Sequence, residues 1–305
     1  MPSSPRLALR PYAPSDLAAL LALIDEDRLP GQPRATPELF AEASRGCTEA
    51  DAPWWGAYGP PDVQVAVGSG GVIVGAVACA RRTKDGAGLI PWLHCREEPV
   101  VADALLGHAG AALSPAGEVD AFPFATALTQ GLEGLPVGHR PATHAALERA
   151  GYGGERLWRY MRADLPRPGL PRAEGVRVGP ARDRGASQRL EIVRDGRAVA
   201  EAVIGHPVQG IGVLWWIEVD EEARGRGTGR ALLGSALDTL GGLGATQVVL
   251  YVDDDEPPGG ERDRTAANRL YESAGFVEVD QLWSYALRDQ GPRDPSSVAA
   301  PRVRS

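Results

Sequence analysis

The sequence predicts an α/β protein made of two tandem units, each a mixed sheet with helices packed on it, and three observations lead there. The first is internal repetition. "HAALERAGYGGERLWRYMR", from His144, parallels "NRLYESAGFVEVDQLWSYALR", from Asn268: a helical stretch, an Ala-Gly-aromatic stop, then a strand opening Leu-Trp-x-Tyr. Gly151 pairs with Gly275, Trp158 with Trp283 and Tyr160 with Tyr285, and upstream "DALLGHA" at Asp103 parallels "RALLGSA" at Arg230 at nearly the same separation. The second is length, since 305 residues exceed the usual size of one core. The third is the breaker "DLPRPGLPRAEG", whose three prolines and two glycines suit neither helix nor sheet. The expected units are therefore 1–165 and 176–288, joined by the linker 166–175. The remainder, 289–305, has the composition of a disordered tail.

The elements follow in order. The first unit opens with "LALRPYAPSDLAALLALI", a strand, a Pro14-Ser15-Asp16 helix start and an amphipathic helix. In the second unit "GVRVGPAR" reads as a strand and "RLEIVRDGRAVAEAVIG" as a hairpin turning at Asp195-Gly196. "VLWWIEVD" reads as a longer strand, on which alternation puts Trp216, Glu218 and Asp220 on one face and Trp215, Ile217 and Val219 on the other. A glycine loop follows, then a helix with Leu232, Leu233, Ala236, Leu237 and Leu240 at helical spacing, stopped by Gly241 and Gly242. The strand "QVVLYV", an acidic, proline-containing loop, the helix "RTAANRLYESA" and a last strand complete the unit.

Composition narrows the function. The formal charge of -8 argues against a nucleic-acid partner and favours cationic small molecules. The longest apolar run, "GVIVGAVACA", is far shorter than the roughly 20 residues of a membrane span, and "MPSSPRLALRPYAPSD" has no signal core, so a cytoplasmic protein without a membrane partner is expected. Cys47, Cys79 and Cys95 form no CxxC pair, and no metal site is expected. Lys84 is the single lysine. GK[ST], HExxH and GxSxG are all absent, which leaves Walker ATPases, zinc proteases and serine hydrolases without an anchor.

The loop "EVDEEARGRGTGRALL" joins a strand to a helix. A helix start exposes unpaired N–H groups carrying about half a positive charge, and Arg224, Arg226 and Arg230 stand beside them, which suits a pyrophosphate. The dinucleotide pattern GxGxxG is not met, because the third glycine falls at Gly229. A tight turn with solvated arginines is the competing reading.

With "RTAANRLYESAGF" downstream, these residues resemble the GCN5-related N-acetyltransferases. Arg224, Gly227 and Gly229 match R/Q-x-x-G-x-G/A after a strand, and Ala267, Leu270, Tyr271, Gly275 and Phe276 match NxxAxxLYxxxGF. The resemblance covers the second unit well and the first in outline. It implies acetyl-CoA as co-substrate, with the pyrophosphate on the amides of Gly225, Arg226, Gly227, Thr228, Gly229 and Arg230. It further implies pantetheine antiparallel to "WWIEV", an amide near Val219 polarising the thioester carbonyl, and Tyr271 as general acid toward the thiolate. Asn268 is taken as a cofactor contact. Arg264 stands where the family has asparagine and is expected to reach a phosphate instead. Glu218 is the first candidate for the base and Glu201 the second.

The first unit departs from the pattern. Glu97, Glu98, Pro99 and Asp103 fall opposite the loop, and Leu147 falls opposite Tyr271, so this unit reads as a degenerate copy that cannot hold CoA. His144 reads as an exposed helix residue. The second unit has only "DRGASQRL" where the family has two helices covering the acceptor site, which makes the first unit the candidate for that wall. The expectation is an N-acetyltransferase, monomer or homodimer, acting on a primary amine of a small molecule or a peptide N-terminus. No cysteine lies near the motifs, so transfer is expected by direct attack in a ternary complex. The alternative is a non-catalytic acyl-CoA-binding sensor.

Overall fold

The computed structural model describes residues 7–46, 52–113, 117–181, 187–253 and 263–288. The expected tail, Cys47, most of the acidic loop after the "QVVLYV" strand and most of "DRGAS" lie outside the described residues. In the first half, β1 (Ala8–Pro11) leads into α1 (Leu17–Glu26), α2 (Pro37–Ser44) and the single turn α3 (Ala52–Trp55). Strands β2 (Asp62–Val67), β3 (Ile73–Arg81), β4 (Gly88–Ile90) and β5 (Leu93–His94) follow, then α4 (Pro99–Leu113), β6 (Glu118–Ala121), β7 (Leu135–Pro136), α5 (Pro141–Arg149) and β8 (Gly153–Asp164). The second half contains β9 (Arg177–Pro180), β10 (Gln188–Arg194), β11 (Arg197–Val208), β12 (Ile211–Val219), α6 (Thr228–Gly242), β13 (Gln247–Val252), α7 (Thr265–Ser273) and β14 (Val277–Arg288).

The local chemistry accounts for several boundaries. Asp16 accepts from Ala13 N at 2.8 Å and pairs with Arg10 at 2.6 Å, fixing the approach to α1. The β10–β11 hairpin turns on Asp195 and Gly196, with φ of 50° and 80°, as a two-residue turn of this hand requires. Gly241 and Gly242 do not stop α6. It runs through both and ends before Gly244 (φ 91°), because Leu240 and Leu243 keep its last turn on the core.

All strands join one sheet, in the order β1-β2-β3-β4-β6-β14-β8-β13-β12-β11-β10-β9, with β5 beside β3 and β7 beside β14. The repeat is visible in the two parallel pairs, β4–β6 and β12–β13, each bridged by a helix, α4 or α6. Neither half closes on itself. β8, the last strand of the first half, pairs with β13 of the second, and β14 of the second pairs with β6 of the first. The repeated tyrosines sit at this exchange and are almost fully buried, Tyr160 at 0% and Tyr285 at 2% exposure.

The linker is tied down along α6. Arg172 pairs with Asp238 at 2.6 Å, and Ser235 Oγ accepts from Ala173 N at 3.0 Å. A Cβ on Gly234 would meet Pro171 O at 2.1 Å, so only glycine permits this approach. On the second half, one face of the sheet is covered by α6 through Leu232, Leu233, Leu237 and Leu240, and by α7 through Tyr271 and Leu270. The opposite face is covered by Leu29 and Leu132 of the first half, which pack with Tyr160, Ile211, Val213 and Val249. Gln209 and the backbone of Arg34 exchange two hydrogen bonds across the same junction, at 2.8 and 2.9 Å.

Candidate functional site

β12 and β13 run parallel only from Ile211↔Gln247 to Val213↔Val249, and then diverge. Beyond that point β12 stays paired to β11 up to Ala200↔Val219. Asp220 N donates to Val199 O at 2.9 Å, which makes Ala200↔Val219 a non-hydrogen-bonded pair. Val219, and Ile217 two residues before it, therefore turn their backbone N–H and C=O groups away from β11, toward the side that β13 has left. The result is a wedge between two strands, lined by strand amides that no neighbouring strand takes up.

A register shift between Val203 and Ile204 leaves Trp215 as the extra residue of a β-bulge in β12. This corrects the alternation expected for the strand. Trp215 packs on the first-half side with Tyr251 and Trp158, while Ile217 and Val219 pack on the α6 side. The bulge shifts the phase by one residue, so Trp215 does not share a face with Ile217 and Val219.

At the end of β12 the chain makes a short turn, Glu221–Ala223, and enters the glycine loop. Gly225 and Gly227 have φ of 71° and 78°, the left-handed region, and Gly227 is the N-cap of α6. Ala231 N is the first amide bonded back into the helix, to Gly227 O at 3.0 Å. Among the described residues the amides of Gly225, Arg226 and Gly227 have no backbone acceptor, and those of Thr228, Gly229 and Arg230 are the unpaired donors of the first helical turn. The Thr228 side chain turns inward, donating to Ala223 O at 3.0 Å, and locks the loop beneath these amides. Gly229 lets α6 approach the strand end, since a Cβ there would lie 3.3 Å from Val219 Cγ2.

The arginines divide. Arg224 Nε donates to Val219 O at 2.9 Å, filling that carbonyl and leaving the Val219 N–H as the donor of the pair. Arg230 donates to Ser273 Oγ at 2.6 Å, tying the start of α6 to α7. Arg226 is exposed, with no ion pair among the described residues.

Tyr271 is 7% exposed, packs edge-on against Phe276 at 5.8 Å, and makes no hydrogen bond within the described residues. Burial pushes its phenol well above the usual range, so at neutral pH it is a hydrogen-bond donor. Asn268 is engaged at both ends: it donates to Asp253 O at 3.0 Å and accepts from Arg159 Nη1 at 2.7 Å. Arg264 is the residue before α7, makes no side-chain capping bond, and lies 3.7 Å from Asp253. Glu218 is exposed near the end of β12, opposite Glu201, which pairs with Arg189 at 3.3 Å.

The equivalent region of the first half is filled by its own side chains. Arg140, 4% exposed, donates to Leu93 O at 2.9 Å and to Glu97 at 2.5 Å, and lies 3.4 Å from Asp27. Glu97 turns inward and accepts from Ala142 N, Thr143 N and Thr143 Oγ1 at 2.6, 3.1 and 2.7 Å, occupying the N-terminus of α5. Asp27 accepts from His94 Nδ1 at 3.2 Å and from Cys95 N at 3.0 Å. Burial alone would raise the Asp27 carboxyl, but the His94 hydrogen bond and the Arg140 charge outweigh it and hold it down at about 2. His94 is pushed down by burial and is neutral. The Arg140 plug was not legible in the sequence, because its partners Asp27, Leu93 and Glu97 lie far from it along the chain. His144 is half-buried, bonded to the Tyr285 hydroxyl at 2.7 Å, and is not the exposed residue expected.

Comparison with known proteins agrees with this geometry. Residues 188–278 match the family model described as an acetyltransferase (GNAT) domain. The mycothiol acetyltransferase of Beutenbergia cavernae is 33% identical over 187 residues, covering 60% of this chain and 58% of that protein. That of Thermobispora bispora is 44% identical over 75 residues, covering 24% of this chain and 23% of that one. This chain thus matches less than two thirds of the length of either relative. A tandem GNAT protein from the clavulanic acid biosynthesis pathway superposes with a TM-score of 0.64 at 17% identity, over 95% of this chain and 100% of that one. A GCN5-related N-acetyltransferase from Sphaerobacter thermophilus does so with 0.63 at 16% identity, over 96% and 98%. At such identities the likeness is one of fold, and it extends through both halves. Residues 188–278 thus match the acetyltransferase (GNAT) domain, and the two halves together share the fold of tandem GNAT proteins.

Proposed function

We propose that the second unit, 176–288, binds acetyl-CoA and transfers its acetyl group to a primary amine of a small molecule, while the first unit, 1–165, serves as scaffold and wall. The observation that carries this reading is the wedge beyond Val213 and Val249, with the Ile217 and Val219 amides turned into it and the glycine loop at its end. The family's co-substrate suits those donors. The pyrophosphate would sit on the amides from Gly225 to Arg230, near Arg226, and the pantetheine would complete the edge of β12. The Val219 N–H is the donor available for the thioester carbonyl, because Arg224 already occupies the Val219 carbonyl.

The amine attacks the thioester carbon directly. An alkyl ammonium has a pKa of about 10, so the acceptor must lose a proton first. Glu218, exposed near the wedge and reached through water, is the candidate to accept it. Tyr271 faces the departing sulfur. Its raised pKa makes full proton transfer to a thiolate more uphill than it would be in water, so its role is to donate a hydrogen bond as negative charge develops there.

The test is thiol release from acetyl-CoA with polyamines, aminoglycosides, amino acids and the acceptor of the mycothiol acetyltransferases. Release with at least one amine supports transfer. CoA binding with no release on any of them supports the sensor reading instead.

A further inference from the structure

A cavity of about 60 Å³ lies in the first half, between the end of α1, the segment joining β4 to β5, and residues 122–136. Its walls include Ile24, Leu29, Phe122, Phe124, Leu128 and Leu132. Two polar groups of its lining residues lack protein partners. Trp92 is 3% exposed and its indole Nε1–H has no acceptor. Gln32 is 3% exposed, and although its Nε2 donates to Gln130 O at 2.8 Å and to the Tyr160 hydroxyl, its Oε1 accepts from nothing. A buried polar group left unpaired is destabilising, so each of these is a place for a ligand atom.

The charged residues of the lining, by contrast, answer one another. Arg140 is held by Glu97 and Asp27, His94 by Asp27, and Arg28 by Gln32 O at 2.9 Å and Asp25 at 3.9 Å. No unpaired charge is left to select an ion. What the cavity lacks is one acceptor and one donor on a short apolar stem. Its volume exceeds the roughly 10–15 Å³ that one water needs and falls below the roughly 150 Å³ that holds benzene, so it suits a group of a few heavy atoms. It shares Asp27 and Arg28 with a more open, polar cavity of about 260 Å³ that also includes Glu26, Arg96, Glu97 and His139, where the rest of a larger molecule can lie.

We propose that this cavity binds a short carboxamide group. Its carbonyl accepts from Trp92 Nε1–H, its N–H donates to Gln32 Oε1, and its methyl packs among the apolar walls. An N-acetylated amine carries this group, so the product of the transfer proposed above belongs to the ligand class. That last link rests on the proposed function, whereas binding of the amide itself does not. Leu29 and Leu132 also pack against Val213 and Val249 at the root of the wedge, so occupancy bears on the wall of the second unit.

The experiment uses the full chain and nitrogen–proton correlation NMR of the indole N–H groups, with Trp92 assigned by Trp92→Phe. N-methylacetamide is the probe, and N,N-dimethylacetamide, which lacks the donor, is the control. The expected result is a saturable shift of the Trp92 resonance by N-methylacetamide, with binding about three- to tenfold weaker for the dimethyl compound and in Gln32→Met. Absence of a saturable shift overturns the proposal, as does equal binding of the two amides, since water alone then satisfies these groups. If Trp92→Phe does not fold, saturation-transfer NMR of the two amides on the unaltered chain decides by the same criterion. Because none of these readings involves turnover, an inactive protein that binds N-methylacetamide rejects only the proposed function.

Discussion

Replacing Gly227 by alanine separates the two readings of the glycine loop. At φ 78° the residue is left-handed, and a Cβ built there meets nothing within 4 Å. The substitution therefore costs backbone strain alone, about 1–2 kcal/mol, which for a chain of this size lowers Tm by roughly 2–8 °C. The ligand feels a different effect. The added methyl projects into the open space before the loop, where a pyrophosphate drawn onto the amides of Gly225 to Arg230 would meet it, at the loss of one or two charge-assisted hydrogen bonds of about 1.5–3 kcal/mol each. The Kd for acetyl-CoA, measured by isothermal titration, is expected to rise by about 10- to 10³-fold. The control is Gly196→Ala in the β10–β11 turn, where φ is 80° and the space is equally open. It carries the same strain away from the wedge and should lower Tm similarly with Kd unchanged. If Gly227→Ala binds acetyl-CoA as tightly as Gly196→Ala, the loop is only a tight turn and the phosphate argument fails.

Other outcomes follow from the same structure. Tyr271→Phe should lower kcat by about 10- to 10³-fold with little change in acetyl-CoA affinity; unchanged turnover on a verified acceptor removes the phenol from the mechanism. Stability should decline with acidity through the Asp27–His94–Arg140 cluster. His94 and Asp27 both have folded pKa values below their ordinary ones, so the unfolded chain binds more protons and stability present at neutral pH is lost as pH falls, from about 6.5 for His94 and from about 3.8 toward 2 for Asp27. Denaturant titrations at pH 7.5 and pH 5.5 should show the first part of this loss, and His94→Gln should flatten it; an unchanged slope rules out His94 as its source. Expressed alone, residues 176–288 should fail to give a soluble monomer, because removing β8 strips the strand between β13 and β14. A folded, acetyl-CoA-binding fragment would contradict that.

The repeat, the hairpin at Asp195-Gly196 and the glycine loop were legible because each rests on local chemistry: a glycine that must be left-handed, a helix that must start. The exchange of β8 and β14 was not. The two strands carry the same Leu-Trp-x-Tyr pattern, and a pattern that fits either slot cannot say which it takes. Parity misplaced Trp215, since one extra residue opposite Val203 reverses the phase of a strand without altering its composition. The loss of the first half's loop was readable from Glu97 and Pro99, but not its replacement, because Arg140 reaches Leu93, Glu97 and Asp27 across long stretches of sequence. The double engagement of Asn268 was hidden for the same reason: its partner Arg159 belongs to the other half.

The central claim is that only the second half keeps a loop of unpaired backbone donors for a pyrophosphate, while in the first half Glu97, Asp27 and Arg140 fill the corresponding region with their own contacts. Native mass spectrometry of the full chain with acetyl-CoA, supported by calorimetric stoichiometry, tests it most directly. The account predicts one acetyl-CoA per chain, bound about 10- to 10³-fold more weakly in Gly227→Ala and unchanged in Arg140→Met. Two bound molecules, or one bound as tightly in Gly227→Ala as in the unaltered chain, would contradict it.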